Sequence, residues 1–149
     1  MRYHDTGPLH LDFHRTLNGS LAWLREHYGM DFIQEVARQM AHEVYRDIYE
    51  ALKSGNPEPL IEHWTYYVTR EGGVCREERD RTCIRLFVNP CPATGYLCEK
   101  KIHPDTAFLE MPDRLAAAFS EDTSFRITAE HPDSTGYTLC IQRLNHDSQ

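Results

Sequence analysis

The spacing of apolar residues predicts helices in the first third of the chain. Apolar side chains recur every three or four positions between Leu11 and Tyr28, and Gly29 ends this pattern. The same spacing resumes behind Asp31, which begins a weak form of a capping box, and continues until Gly55. We therefore expect one helix on each side of Gly29, each with an apolar stripe that faces a core.

A short third helix and a β-hairpin are expected next. The Asn56–Pro57 pair is typical of an N-cap followed by a first helical residue, and it predicts a short helix that ends near His63. Apolar and polar residues alternate over 64–69, before two consecutive glycines, and this alternation predicts a strand followed by a turn. The return strand is expected from about 81 to 89.

The rest of the chain predicts another helix and a second hairpin. The segment 104–119 has helical spacing and is expected to be bent or divided near Pro112. Alternation over 125–130 and 137–142 predicts two strands, and 132–136 holds residues common in turns. The order ααα-ββ-α-ββ indicates an α+β fold, with N-terminal helices packed on an antiparallel sheet of about four strands.

Length and charge limit the classes of partner. The chain has 149 residues, so we expect one domain over 1–149, with loose ends at 1–8 and 145–149. A formal net charge of -7 argues against a large phosphate-binding surface, and we expect no nucleic-acid partner. The sequence has no apolar run of roughly 20 residues and no apolar leader, which predicts a cytoplasmic protein without a membrane partner.

Cys91 is the first candidate for chemistry. It precedes Pro92, and if Pro92 opens a helix, Cys91 is the N-cap, where free backbone N–H groups favour a thiolate. The residue can therefore be a nucleophile or a metal ligand, or simply a small buried side chain in a turn. The sequence has five cysteines and no C-x-x-C motif, so reduced thiols are the default.

A zinc site is a second interpretation of the cysteines. Cys98 lies seven positions after Cys91, His103 lies five after Cys98, and Cys140 on the last strand could approach them. Three thiolates and an imidazole suit tetrahedral zinc, although this spacing is not a familiar zinc pattern. We expect no cofactor, and zinc is the alternative. A bound zinc would make the protein a zinc-stabilised interaction module.

Aromatic residues beside His63 predict a pocket for a small molecule. His63 directly precedes Trp64, and Tyr66 follows two positions later. Such a group can form the wall of a pocket, with His63 as a general base near neutral pH. The alternative is that the aromatics are core residues and His63 is a hydrogen-bonded surface residue. Cys140 alternates with the apolar positions of its strand, so its surface is solvated, paired with a second subunit or part of a pocket.

The stretch from His63 to Leu144 resembles the L-2-amino-thiazoline-4-carboxylic acid hydrolase-like family of small bacterial α+β proteins. The motifs that carry the resemblance are His63-Trp64-Thr65-Tyr66-Tyr67, Arg70-Glu71-Gly72-Gly73, Cys91-Pro92 and Gly136-Tyr137-Thr138-Leu139-Cys140. The layout is also similar to that of 4-vinyl-reductase-type small-molecule-binding domains. The resemblance implies hydrolytic opening of a thiazoline ring at a carbon–nitrogen bond, a ligand pocket around the Cys91 and Cys140 strands, and a homodimer.

Two functions follow from these observations. The first is a small-molecule hydrolase acting on a C–N bond of a cyclic amidine or amide, with Cys91 as nucleophile and His63 or His103 as proton carrier. In it, the ligand-binding residues are Trp64, Tyr66 and Cys140. The second is a non-catalytic small-molecule-binding or sensory domain with the same pocket.

Overall fold

The computed structural model describes residue 7 and residues 9–145. Within that part of the chain, seven α-helices and a four-stranded antiparallel sheet confirm the predicted α+β class. The helices are α1 (Phe13–Tyr28), α2 (Met30–Gln39), α3 (Arg46–Lys53), α4 (Glu58–Arg70), α5 (Pro92–Glu99), α6 (Thr106–Leu109) and α7 (Met111–Ser120). The strands are β1 (Cys75–Arg79), β2 (Cys83–Val88), β3 (Phe125–Glu130) and β4 (Tyr137–Arg143). The predicted loose ends lie mostly outside the described residues.

The first helices follow the predicted pattern with one interruption. Gly29 separates α1 from α2 with φ 84°, a conformation that favours glycine. The continuous helix expected up to Gly55 is instead α2, a π-helical turn at Met40–Val44, and α3. Short π-helical turns interrupt helices without removing their apolar side chains, so Ala37, Ala41 and Ile48 are all fully buried. The spacing of apolar residues therefore gave no sign of the interruption.

The strand predicted over 64–69 is wrong, because α4 continues through this segment to Arg70. Trp64 and Val68 are buried one helical turn apart and extend the stripe begun by Leu60 and Ile61. The residues of this segment have high strand propensity, but packing of the helical stripe on the sheet outweighs that preference. The two glycines follow the end of α4 and do not form the hairpin turn.

The four strands are all antiparallel and stand in the order β1-β2-β4-β3. β2, β3 and β4 lie where their patterns predict them. β1 consists largely of charged, exposed residues at the sheet edge, so it lacks the alternation that would have predicted it. The turn from β1 to β2 is closed by Asp80, whose Oδ1 accepts the backbone N–H groups of Thr82 and Cys83 at 2.8 and 2.9 Å.

Two apolar cores hold the fold together. In the first, one face of the sheet packs against α3, α4 and α7, and its buried strand residues are Leu86, Val88, Phe125, Ile127, Leu139 and Ile141. The second core is helical and joins α1, α2, α5 and α6 through Leu21, Ile33, Tyr96, Leu97, Ala107 and Phe108. The predicted division near Pro112 is confirmed, since α6 ends at Leu109 and α7 begins at Met111.

Candidate functional site

A cavity of about 1370 Å³ lies between the two cores. Its walls come from α1, α4, α5, the start of α7 and the β3–β4 loop. Most of its lining is apolar or aromatic, and the rim includes exposed apolar side chains: Leu9, Phe13, Leu17, Tyr67 and Leu109. Pockets of this kind, with an apolar wall and a few polar groups, are typical of small-molecule sites.

Cys91 lies in the cavity wall at the start of α5. Pro92 opens this helix, and Cys91 has the extended backbone of an N-cap, with φ -79° and ψ 119°, so the predicted helix start is confirmed. The backbone N–H of Cys91 donates to the carbonyl oxygen of Thr135 at 2.9 Å. The first turn of a helix leaves N–H groups without intrahelical partners and carries partial positive charge. Cys91 therefore lies beside backbone N–H groups that have no intrahelical partner.

His63 and His103 both line the cavity, on different elements. His63 lies on α4 and is only 8% exposed, and its ring packs against the rings of Tyr45 and Tyr67 with centroids 4.6 and 4.7 Å away. His103 lies in the loop before α6 and is exposed. The structure therefore places both predicted proton carriers in the same cavity as Cys91.

A partly buried hydrogen bond joins Trp64 to Tyr137 in the cavity wall. Trp64 Nε1 donates to the Tyr137 hydroxyl oxygen at 2.8 Å, and both side chains line the cavity. Burial raises the pKa of Tyr137 well above its usual range, so this hydroxyl stays protonated. Because the oxygen accepts the bond from Trp64, the Tyr137 proton can be donated to another group.

Two further polar pairs line the cavity, and sequence analysis missed both. His14 on α1 is buried, and its Nε2 lies 3.3 Å from Glu71 Oε2, although neither ring nitrogen has hydrogen-bond geometry. In the second pair, His131 Nε2 lies 2.7 Å from Asp113 Oδ2. Each pair joins residues that are far apart in the sequence, so no local pattern could have indicated them.

Tyr66 and Cys140, which were predicted to bind the ligand, do not belong to the cavity lining. Tyr66 is about 200° around α4 from Trp64, which places it on another side of the helix. The neighbours of Cys140 on β4, Leu139 and Ile141, are buried in the first core. Cys140 therefore points to the opposite face of the sheet, where burial raises its pKa. The convergence of Cys91 and Cys140 on one pocket is not observed.

The four predicted zinc ligands do not all lie at one site. Cys91, Cys98 and His103 line the cavity, whereas Cys140 does not. Within the part of the chain that the structure describes, no group of three or more His, Cys, Asp or Glu side chains is arranged to hold a metal ion. The five cysteines are free.

Fold and site together define an α+β protein with a large apolar cavity between a sheet core and a helical core. A search of protein-family models, of curated proteins and of solved structures finds no match to this chain. The resemblance to the thiazoline-carboxylate hydrolase family therefore stays a prediction. No helix among the described residues is both long and apolar enough to cross a membrane.

Proposed function

We propose that this protein binds a small molecule with a largely apolar body in the cavity between the two cores. The observation that supports this proposal is the cavity itself, with its volume of about 1370 Å³ and its lining of aromatic and aliphatic side chains. An apolar ligand that enters it removes its own surface and that of the exposed rim from water, which favours binding by roughly 25 cal/mol per Å².

A cavity-filling substitution tests the binding proposal. Ala93 lies on α5 in the cavity wall, and Ala93→Phe places a benzyl group in the space that a ligand needs. Using the fluorescent probe 1-anilinonaphthalene-8-sulfonate, we expect saturable binding to the natural chain and at least tenfold weaker binding to the variant. Ala117→Phe is the matched control, because Ala117 is an exposed alanine of α7 outside the cavity. Equal binding by the natural chain and Ala93→Phe contradicts the proposal.

The second candidate is hydrolysis of a C–N bond in a cyclic amidine or amide, which the position of Cys91 specifically favours. The thiol lies where a helix start and a small-molecule cavity meet. In this reaction the sulfur bonds to the carbon between the ring heteroatoms, and the C–N bond then breaks as the nitrogen takes a proton. Water attacks the same carbon and releases the sulfur. His63 and His103 are the proton carriers that the sequence predicts.

Turnover of 2-amino-thiazoline-4-carboxylate tests the hydrolase candidate. We expect Cys91→Ala to abolish turnover without unfolding the protein, since the thiol is small and only partly buried. Cys83→Ala is the control, because Cys83 lies on the sheet face opposite the first core. Unchanged turnover in Cys91→Ala refutes Cys91 as the nucleophile. No turnover by the natural chain, together with binding of the fluorescent probe, leaves a binding or sensory domain.

A homodimer is the third part of the proposal, and it is supported by the partly buried sheet face that carries Arg85, Phe87 and Cys140. A second copy that covers this face would place these side chains in an interface. Sedimentation equilibrium is expected to give twice the chain mass of 17.4 kDa. A mass of one chain at micromolar concentration contradicts the dimer. We also propose that the protein is cytoplasmic.

A further inference from the structure

Asp113 and His131 form a carboxylate–imidazole pair on the cavity wall. Asp113 lies in the first turn of α7, and His131 directly follows β3. The two side chains are 2.7 Å apart between Oδ2 and Nε2, and both line the cavity that Cys91 also lines. Each is about 40% exposed, so water and small molecules can reach the pair.

Main-chain contacts hold the His131 loop against Cys91. The N–H of Cys91 donates to the carbonyl oxygen of Thr135 in this loop at 2.9 Å. The next residue, Gly136, packs so closely on the end of β2 that an added Cβ would lie 2.1 Å from the carbonyl oxygen of Val88. The loop that carries His131 and the turn that carries Cys91 are therefore fixed relative to each other.

Tyr137 lies on β4, between β2, which leads to Cys91, and β3, which ends directly before His131. Its ring centroid is 5.9 Å from that of His131, and its hydroxyl is fixed by the Trp64 indole. Tyr137 is paired with Val88, the last residue of β2, which lies three positions before Cys91. His131, Tyr137 and Cys91 thus border the same part of the cavity.

We propose that His131, oriented by Asp113, is the proton carrier for the reaction of Cys91, an inference that rests on the hydrolase candidate. Because Nε2 is engaged by the carboxylate, Nδ1 is the nitrogen left to face a substrate. It takes the proton of the Cys91 thiol while the sulfur bonds to the amidine carbon. It gives that proton to the ring nitrogen when the C–N bond breaks.

The second half of the reaction restores the starting state. A water molecule attacks the same carbon and gives one proton to Nδ1 of His131. The bond between this carbon and the Cys91 sulfur then breaks, and the sulfur takes that proton back. Asp113 touches only the imidazole, so it is a positioning residue, and its carboxylate stabilises the imidazolium that exists between the two proton transfers.

The Asp113 contact is the reason to assign this role to His131. The rings of Tyr45 and Tyr67 pack against His63. His103 is exposed in the loop before α6. A general base is most effective when a second group fixes its tautomer, and the Asp113 carboxylate lies within hydrogen-bond distance of His131.

Alkylation of Cys91 with charged and neutral reagents tests whether His131 faces the thiol, without any substrate. A Cys98→Ala variant, which removes the exposed thiol of the cavity, is treated with iodoacetate or with iodoacetamide. The two adducts differ by one negative charge. Because the added negative charge favours the imidazolium, we expect the His131 ring resonances to titrate at a higher pH with the carboxymethyl adduct.

Titratable groups around His131 also affect this titration, and the difference between the two adducts removes their effect. Asp113 faces it from α7, and Asp133 and Tyr137 border it from the loop and β4. All three are present in both adducts and cancel in the difference. The same comparison in a Cys91→Ala/Cys98→Ala variant removes the charge at Cys91 and must show no difference. Identical midpoints in the two adducts, or failure of Cys91 to react, refute the inference.

Turnover separates the failure of this inference from failure of the hydrolase candidate. With 2-amino-thiazoline-4-carboxylate, His131→Gln is expected to lower kcat by about 10²- to 10⁴-fold with little change in KM. Asp113→Asn is expected to lower kcat less and to change the pH profile of kcat. Full activity of His131→Gln refutes the assigned role. No turnover by the natural chain rejects the hydrolase candidate, while the titration comparison still decides whether His131 faces Cys91.

Discussion

Gly136 offers a sharp test of the contact between the β3–β4 loop and the end of β2. A Cβ added at this position would lie 2.1 Å from the carbonyl oxygen of Val88 and 2.9 Å from the Cβ of Asn89. Both neighbours belong to a strand end and its turn, not to a flexible side chain. In Gly136→Ala, β2 and β4 must therefore separate by more than an ångström at this end before the contact reaches 3.4 Å.

The expected loss of stability has two parts. Overpacking of a well-packed site costs about 1–3 kcal/mol. Separation of the strands also stretches the hydrogen bond of 2.9 Å from Cys91 N–H to Thr135, and a hydrogen bond of this kind contributes about 1 kcal/mol. Together we expect about 2–4 kcal/mol, a large share of the roughly 5–15 kcal/mol that stabilises a typical domain.

Urea denaturation followed by tryptophan fluorescence measures this effect. For a typical dependence of the unfolding free energy on urea, Gly136→Ala lowers the midpoint by roughly 1–2 M. Gly95→Ala is the matched control, because Gly95 lies inside α5 with nothing within 4 Å of an added Cβ. There the substitution is expected to stabilise by about 1 kcal/mol through helix propensity. A Gly136→Ala midpoint equal to that of the natural chain refutes the close packing of this loop.

Two other residues give independent predictions. Tyr137→Phe leaves the buried Trp64 indole N–H without its acceptor, so we expect a loss of about 1–3 kcal/mol in urea denaturation, and an unchanged midpoint contradicts that bond. The pKa of Asp80 is lowered to about 2, first by the backbone N–H of Thr82 and next by the Arg85 side chain. A lowered carboxylate pKa stabilises the folded state above the unfolded value, and this contribution is lost as the pH falls from about 4 to about 2. We therefore expect Asp80→Asn to lower the midpoint at pH 7 but not at pH 2, and a difference that persists at pH 2 is evidence against the assignment.

Most helices and strands could be predicted from the sequence because local patterns determine them. The prediction failed where local preference and tertiary packing disagree. Over 64–69 the side chains favour a strand, yet Trp64 and Val68 also lie one helical turn apart and pack on the first core. The choice between the two depends on the sheet, which a local pattern does not contain. β1 was not predicted because its residues are mostly charged and show no alternation of apolar and polar positions. An exposed strand at the edge of a sheet does not need that alternation.

The candidate site was likewise predictable only where a local sequence pattern marks the residue. Cys91 was recognised because a cysteine before a proline at a strand end is a local pattern, and the structure places it at the start of α5 in the cavity wall. The Asp113–His131 pair depends on how α7 packs against β3, and no spacing in the sequence brings these residues together. Cys140 was assigned to the pocket although its strand alternation already indicated the other face of the sheet.

The stability of the fold and the proposed chemistry both depend on one contact at the end of the sheet. The close approach of Gly136 to β2 fixes the loop that carries His131, and the adjacent Thr135 carbonyl fixes the turn that carries Cys91. A Cβ at position 136 therefore changes the distance between the imidazole and the thiol as well as the stability. In Gly136→Ala at a temperature where the protein stays folded, we expect the titration difference of His131 between the two Cys91 adducts to shrink. Because electrostatic interaction falls with distance, an unchanged difference would show that this contact does not set the geometry of the site.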